Sequence, residues 1–354
     1  MGREQGKYYS CKYLLTLKDI DGNIPEIYIS DGNRTAGKSV SWKSLLVDRF
    51  LKGQKTGNDI NQFMMLYRNK YEISGCEQAF FGDIQRLFYR GHEMTAKKIA
   101  DGMIMQMYLD GEPCGFGVPV GMASKIKKLS ALFARVGAMF FDEYQDDDGK
   151  YLPREVEKIM SIHTTVARGD GKQTRYVPLY MASNTVSILN PYYDALGINK
   201  RLKTDTKILR GKGWVYERTY NENAKNSFQA SAFNQSFAQS DYYKHASENV
   251  YLNDNNALIE KPSGIAVYKL SVKYNGEWFN VRKYDNLMYV DEGYDASYPM
   301  RICFTVDDVT DDRAVMIGQS NFVVVELRYW FQNGLMRFKN IRCKNMMLDL
   351  LAYL

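Results

Sequence analysis

The sequence predicts an α/β fold organised around a phosphate-binding loop, followed by a small helical linker and a C-terminal α+β domain. Three features of the chain point there. Gly32-Asn33-Arg34-Thr35-Ala36-Gly37-Lys38-Ser39 matches GxxxxGK[ST] and stands between a strand-like and a helix-like segment. A later apolar run, "VGAMFFDEYQ", ends in the acidic pair Asp142-Glu143. Composition then shifts to an Asn-, Gln- and Ser-rich stretch and afterwards to alternating strand-like runs, giving expected domains at 1–205, 206–247 and 248–354.

The loop match gains meaning from its flanks, since the pattern alone recurs by chance. Ile27-Tyr28-Ile29 reads as a buried strand. Val40, Leu45, Leu46, Phe50 and Leu51 recur at helical spacing, with Gly53 as the expected helix end. Strand, glycine loop and helix let backbone N–H groups and a helix N-terminus cradle a polyphosphate. Lys38 would reach the β- and γ-phosphates of ATP, and the Ser39 hydroxyl would ligate Mg²⁺. Asp142, just past the C-terminal end of an apolar strand, lies where open α/β sheets bind ligands and would hold the Mg²⁺ shell. Glu143 would polarise the attacking water as general base. A glutamate directly after that aspartate points to the additional-strand (ASCE) class of P-loop ATPases, and "QFMMLYRNK", Gln62 to Lys70, is the expected inserted strand.

Further along, "MIMQMYLDGEPCGFGVPV" reads as a hairpin turning at Asp110-Gly111. Pro153 introduces a helix with Val156, Ile159, Met160 and Ile162 as its apolar face. "RYVPLYMASN" is another core strand with a polar end at Ser183-Asn184, and Pro191 starts the next helix. In the 206–247 linker Phe228, Phe233 and Phe237 recur every four or five residues, which argues for helix with those rings buried. Asn275-Gly276 is a strong hairpin turn, and helices are expected near "FVVVELRYWFQNG" and "NIRCKNMMLDLLAYL".

Composition narrows the class. The hydrophobic share of 45% and charged share of 25% are ordinary for globular proteins. No apolar run reaches the roughly 20 residues of a membrane helix. "MGREQGKYYS" lacks the apolar core of a signal peptide and the Ser or Thr of a myristoylation signal, so neither export nor lipid anchoring is expected. Five scattered cysteines, none spaced as CxxC, and three histidines suit a reducing cytoplasm and argue against a zinc site. A net charge of +6 permits a nucleic-acid partner without requiring one.

With "GNRTAGKS", "FFDEY", "LPREVEKIMSIHTTVARG", "ASNTVSILNPYY", "ALIEKPSG" and "NLMYVD" in this order, the chain resembles the φ29-like phage DNA-packaging ATPases, compact relatives of terminase large subunits. The likeness covers most of the chain but is weak over the first 25 residues and the linker. It implies a homomeric ring, pentameric in the family, at the portal vertex of a procapsid in the host cytoplasm. Such a ring pumps double-stranded DNA inward, in some cases with a structural RNA as bridge, and no membrane is involved.

Carried over by position, the resemblance assigns Lys38 and Ser39 to phosphate and Mg²⁺, Arg34 to nucleotide contact, Asp142 to Mg²⁺ and Glu143 to catalysis. Arg168 falls where the family places a trans-acting arginine finger, with Arg175 as the alternative. Asn184, with Ser183, would sense the γ-phosphate. Lys70 matches a pore-facing lysine, and Lys125, Lys127 and Lys128 lie on a second candidate loop for DNA phosphates. The C-terminal domain should resemble a ribonuclease-H-like nuclease fold. Its first strand, "GIAVYKLSVKY", carries Lys269 but no acid, so Asp291, Glu292, Asp307, Asp308, Asp311 and Asp312 lack a partner there and the domain reads as vestigial. Arg328, Arg337, Lys339, Arg342 and Lys344, with Tyr329 and Trp330, give it a basic C-terminal region. A terminase with a live nuclease, a helicase-like ATPase and a non-catalytic nucleotide-binding protein remain as alternatives.

Overall fold

The computed structural model describes residues 8–146, 150–168, 174–188, 190–203, 206–238, 259–298, 300–303, 306–309, 314–316 and 322–352. The chain forms two compact units, 1–186 with 206–249, and 187–205 with 250–354.

The first unit is built on one sheet. Its strands are β1 (Ile27–Gly32), β2 (Gln62–Tyr67), β3 (Met94–Ile99), β4 (Ile104–Leu109), β5 (Glu112–Pro119), β6 (Val136–Asp142), β7 (Leu179–Asn184), β8 (Ile208–Gly211) and β9 (Trp214–Thr219). They lie in the order β3-β4-β5-β2-β6-β7-β1-β9-β8. The six strands from β5 to β9 are mutually parallel, with an antiparallel strand or hairpin closing each side. Covered on both faces, the central strands are apolar nearly throughout, as β2 and β6 are in sequence. The β4–β5 hairpin turns at Asp110 and Gly111, both with left-handed φ, as expected of that dipeptide.

The order corrects two sequence expectations. The strand between β1 and β6 is β7, whereas β2 flanks β6 on its far side. Position along the chain misled because a parallel strand can be laid down after the pair it separates. Residues 208–219, expected in a helical linker, are β8 and β9, and β9 pairs with β1.

The helices of the first unit are α1 (Lys38–Thr56), α2 (Cys76–Phe88), α3 (Ala123–Ile126) and α4 (Glu155–Ala167). Past a short helix of the second unit, α5 (Pro191–Ala195), come α6 (Glu222–Ala230) and α7 (Ala232–Ser236). α1 runs one turn beyond Gly53 and is stopped at left-handed Gly57. Gly53 is a packing residue instead, because a Cβ there would overlap Asn61. Trp42 anchors α1 to the sheet: it is fully buried, its ring stacks on Tyr180 at 4.5 Å and its Nε1 donates to Ser30 Oγ at 2.8 Å. α4 begins after Arg154, and its buried face is Glu155, Ile159, Ile162, Thr165 and Val166, with Met160 on the exposed side. Phe233 and Phe237 are exposed and pack on each other at 5.2 Å rather than in a core.

In the second unit six strands, β10 (Val267–Tyr274), β11 (Glu277–Lys283), β12 (Met288–Glu292), β13 (Arg301–Cys303), β14 (Ala314–Met316) and β15 (Met336–Phe338), lie in the order β14-β13-β10-β11-β12-β15. β10, β11 and β12 form an antiparallel meander turning at Asn275-Gly276, and β13 and β14 add in parallel beside β10. Helices Phe322–Gln332 and Ile341–Ala352 occupy the expected segments. Leu270, Val272, Phe279, Val281 and Val290 are buried on the sheet, as are Cys343, Met346, Met347 and Leu350 on the last helix.

Candidate nucleotide site and arginine groove

Parallel strands β1, β6 and β7 end side by side, and their C-terminal edge carries the predicted residues. The loop after β1 bends through left-handed Thr35 and Gly37 and delivers its last residues to the N-terminus of α1. The loop is held from four directions. Asn33 is buried, donates through Nδ2 to the Asn221 carbonyl at 2.9 Å and accepts the Asn221 N–H at 3.0 Å. Asn221 in turn caps α6 by accepting from Ala224 N. Gly32 has no room for a side chain, because a Cβ would overlap Thr219. Thr185 N donates to Gly32 O at 3.1 Å, and Asn184 stands in register opposite Gly32. Tyr9 N donates to Ala36 O at 2.8 Å, with Tyr8 packed against Gly37.

Lys38 is buried, and its Nζ donates to Asn33 O at 2.8 Å across the mouth of the loop. Burial pulls its pKa down to about 8, against the opposing pull of Asp31 and Asp142. The ammonium thus rests on a loop carbonyl that a polyphosphate could replace. Ser39 Oγ donates to Asp142 Oδ1 at 2.7 Å. Two hard oxygen donors so close suit a Mg²⁺ ion that completes its shell with phosphate and water.

Glu143 follows in a left-handed conformation at φ 53°, its N–H fixed on Ala182 O of β7 at 2.8 Å and its side chain exposed. Behind it, Tyr144 OH and Gln145 Nε2 donate to Asp31 Oδ2 at 2.7 and 2.9 Å, while Gln145 Oε1 accepts Val186 N. The three strand ends are thus tied together beneath the loop. Sequence reasoning missed Gln145, Asn221 and the Tyr8–Tyr9 segment. Gln145 stands two residues past the acidic pair and was the one with a local signal.

Arg68, just after β2, carries a second buried network. Its Nε donates to both carboxylate oxygens of Glu155 at 3.2 and 3.0 Å, and an Nη donates to Tyr144 O at 2.6 Å. The guanidinium also lies over the Phe141 and Tyr151 rings. The first residue of α4 is thereby fastened to the strand that presents Asp142.

Arg168 is not brought to this site. It is exposed at the far end of α4, where Arg175 donates to the carbonyls of Phe133, Val136 and Val166. β6 begins at Val136, where Arg175 is anchored, and runs about 20 Å at 3.3 Å per residue to Asp142, so the end of α4 that carries Arg168 stands toward the opposite end of that strand. It borders a groove of about 400 Å³ with Lys127, Ser130, Glu157, Ser161 and Thr164. Arg175, the alternative finger, is buried, and its guanidinium joins the carbonyls of a 3-10 turn, of β6 and of α4.

Lys70 is exposed in a 3-10 turn (Lys70–Ile73) right after β2. Lys125, Lys127 and Lys128 are exposed on α3 and the 3-10 turn behind it. The basic C-terminal region is less available than expected. Lys344 is buried, Lys339 pairs with Glu292, and Arg342 pairs with Glu277 and Glu292. Asp291 pairs with Arg282 at 3.2 Å, and Asp308 accepts from Gly276 N. Among the described residues no group of three or more His, Cys, Asp or Glu side chains is placed to hold a metal ion. The Asp307 side chain, Asp311 and Asp312 lie outside the described residues.

A glycine loop between a central parallel strand and a helix N-terminus, faced by an aspartate two strands away, gives a mixed α/β fold in which loop N–H groups could receive an anionic phosphate. Comparison with known proteins carries this further. The chain belongs to the podovirus DNA encapsidation protein (Gp16) family, whose sequence profile matches residues 5–353. It is 26% identical to the DNA packaging protein of Bacillus phage phi29 over 90% of the chain and 91% of that protein. It is 28% identical to the DNA packaging protein of Bacillus phage B103 over 87% and 91%. Among solved structures, a chain of the bacteriophage Phi-29 viral genome packaging motor assembly shares the fold at TM-score 0.56 and 23% identity, with 98% of each chain covered. A chain of the Phi-28 gp11 DNA packaging motor does so at 0.57 and 16%, again with 98% of each covered.

Proposed function

We propose that this protein is an ATP-driven motor that moves double-stranded viral DNA into a preformed procapsid. The observation that carries the reading is the joined edge of β1, β6 and β7, where Lys38, Ser39, Asp142 and Glu143 meet, in a chain of the encapsidation family. The packaging-protein names of its relatives support the DNA substrate.

The first sheet supports an additional-strand P-loop ATPase, since β7 separates β1 from β6. Bound Mg²⁺, held by Ser39 and Asp142, would neutralise charge on the transferred phosphoryl group. Lys38 and the loop N–H groups, together with Arg34, grip the phosphates. Glu143 would accept the proton of the attacking water as its oxygen bonds to the γ-phosphorus and the bond to the β,γ-bridging oxygen breaks, ADP being the leaving group. The register of Asn184 opposite Gly32 supports a role for it in sensing γ-phosphate loss along β7. Arg168 stands at the end of α4 opposite the one fastened beside Asp142, which supports action on a neighbour in a homomeric ring, pentameric and portal-docked as in the family. Lys70, Lys125, Lys127 and Lys128 would touch DNA phosphates.

The second unit supports a ribonuclease-H-like reading by its strand order: an antiparallel meander with two parallel strands beside its first member. β10 presents Ser271, hydrogen-bonded to Asn280, where a nuclease would need an acid. We read it as a nuclease-derived scaffold that binds nucleic acid or the portal. The whole proposal is tested by ATP-dependent protection of DNA from nuclease in mixtures with purified empty procapsids. Protection that needs ATP and is lost with Lys38→Ala is expected; its absence with active procapsids overturns the motor reading.

A further inference from the structure

We propose that Lys43 is a positioning residue for the divalent cation, holding one oxygen of Asp142 so that the other faces Ser39. This rests on the nucleotide-site reading above. Ser39 and Lys43 are four residues apart on α1 and so project from the same face of the helix. They divide one carboxylate between them: Ser39 Oγ lies 2.7 Å from Asp142 Oδ1, and Lys43 Nζ lies 3.4 Å from Oδ2. Two fixed contacts on opposite oxygens set the plane of the carboxylate, which neither could do alone.

The ammonium is itself built in. Lys43 is 5% exposed, unusual for a lysine, and a buried charge is tolerated only with partners. Asp83, reaching over from α2, supplies the first at 2.7 Å. The Lys43–Asp83 pair is close to neutral as seen from Ser39. It therefore orients Asp142 without setting an unbalanced positive charge against the incoming dication. Residues that orient a metal-binding carboxylate through a hydrogen bond typically govern metal affinity by about 10- to 100-fold. A helix-to-helix clamp between α1 and α2 would explain the Asp83 contact but not the approach to Asp142, so the two roles are separable.

The test uses the full chain and a fluorescent ATP analogue, titrated once in EDTA and once across a range of Mg²⁺ concentrations. Lys43→Met should bind the analogue in EDTA as the unaltered protein does. Its half-saturating Mg²⁺ concentration should rise about tenfold or more. Lys43→Arg should restore much of the metal response, and Asp83→Asn, which leaves Lys43 unbalanced beside Asp142, should also weaken it. An unchanged Mg²⁺ requirement in Lys43→Met overturns the proposal. So does an equal loss of affinity with and without metal, which would make Lys43 a structural clamp. Failure of the unaltered protein to bind the analogue at all would instead bring down the nucleotide site itself, and this proposal with it.

Discussion

Ser39 and Asp142, 103 residues apart in the chain, share a 2.7 Å hydrogen bond at the edge of one sheet. That contact exists because β6 and β7 run parallel to β1, so their ends arrive together. It gives the separate contributions of the loop and the acidic pair a common test. Lys38→Ala should abolish nucleotide binding, whereas Glu143→Gln should bind as before and hydrolyse about 10² to 10⁴ times more slowly. The Glu143 backbone is held through its N–H on Ala182, which the substitution leaves alone. A folded Glu143→Gln protein with normal turnover would remove Glu143 as the base.

The loop and acidic pair were legible because each needs only local sequence: glycines at fixed spacing, and an apolar run ending in Asp-Glu. The inserted strand was not, because strand order depends on contacts that no window of sequence contains. Gln62 to Tyr67 and Leu179 to Asn184 are buried in the same pattern, and only the fold decides which lies between β1 and β6. The 208–219 strands were hidden by their polar neighbours, though Trp214, Val215 and Tyr216 are all buried. Arg175 and Arg168 look alike on paper. Burial separates them.

Lys38 should impose a pH dependence on nucleotide affinity. Its pKa in the free protein is pulled down to about 8 by burial, while bound phosphate favours the charged form. Binding above that pH must take up a proton, so affinity should fall by up to about tenfold per pH unit from pH 8 upward. For stability the sign is opposite. The unfolded lysine keeps its proton to about 10.4, so this group's contribution to stability rises with pH between the two values. Equilibrium binding at pH 7, 8 and 9 decides, and a flat profile would contradict the free-state value.

The Arg68–Glu155 pair should matter for folding more than any surface ion pair here. Both side chains are buried, and deleting one partner of such a pair typically costs about 3 to 5 kcal/mol. Arg68→Met should lower the urea midpoint accordingly. Arg68→Met combined with Glu155→Met should cost less than the two single changes summed. Strict additivity would mean that the pair is not coupled.

The second unit should not cut DNA. Asp291 is engaged by Arg282, and burial raises its pKa. With Mg²⁺ or Mn²⁺, linear and supercoiled DNA should stay intact. Cleavage that disappears in Asp291→Ala would establish a live nuclease instead.

Arg168 offers the sharpest test of a ring. It stands at the end of α4 away from the residue fastened beside Asp142, so under the proposed ring its guanidinium would stabilise phosphoryl-transfer charge on another subunit. Arg168→Ala should therefore bind ATP through its own Lys38, Ser39 and Asp142 but hydrolyse poorly. A missing finger in related chemistry costs about 10³ to 10⁵ in rate. Glu143→Gln has the complementary defect, with an intact arginine beside a dead site. Mixed rings recreate interfaces in which a good Glu143 faces a good Arg168, so some hydrolysis should return on mixing and vanish on dilution to monomers. Normal turnover by Arg168→Ala alone, or no rescue although mixed rings form, would place the finger elsewhere. The groove it shares with Lys127 would then be the next surface to probe, since Arg175 is committed to carbonyls within its own fold.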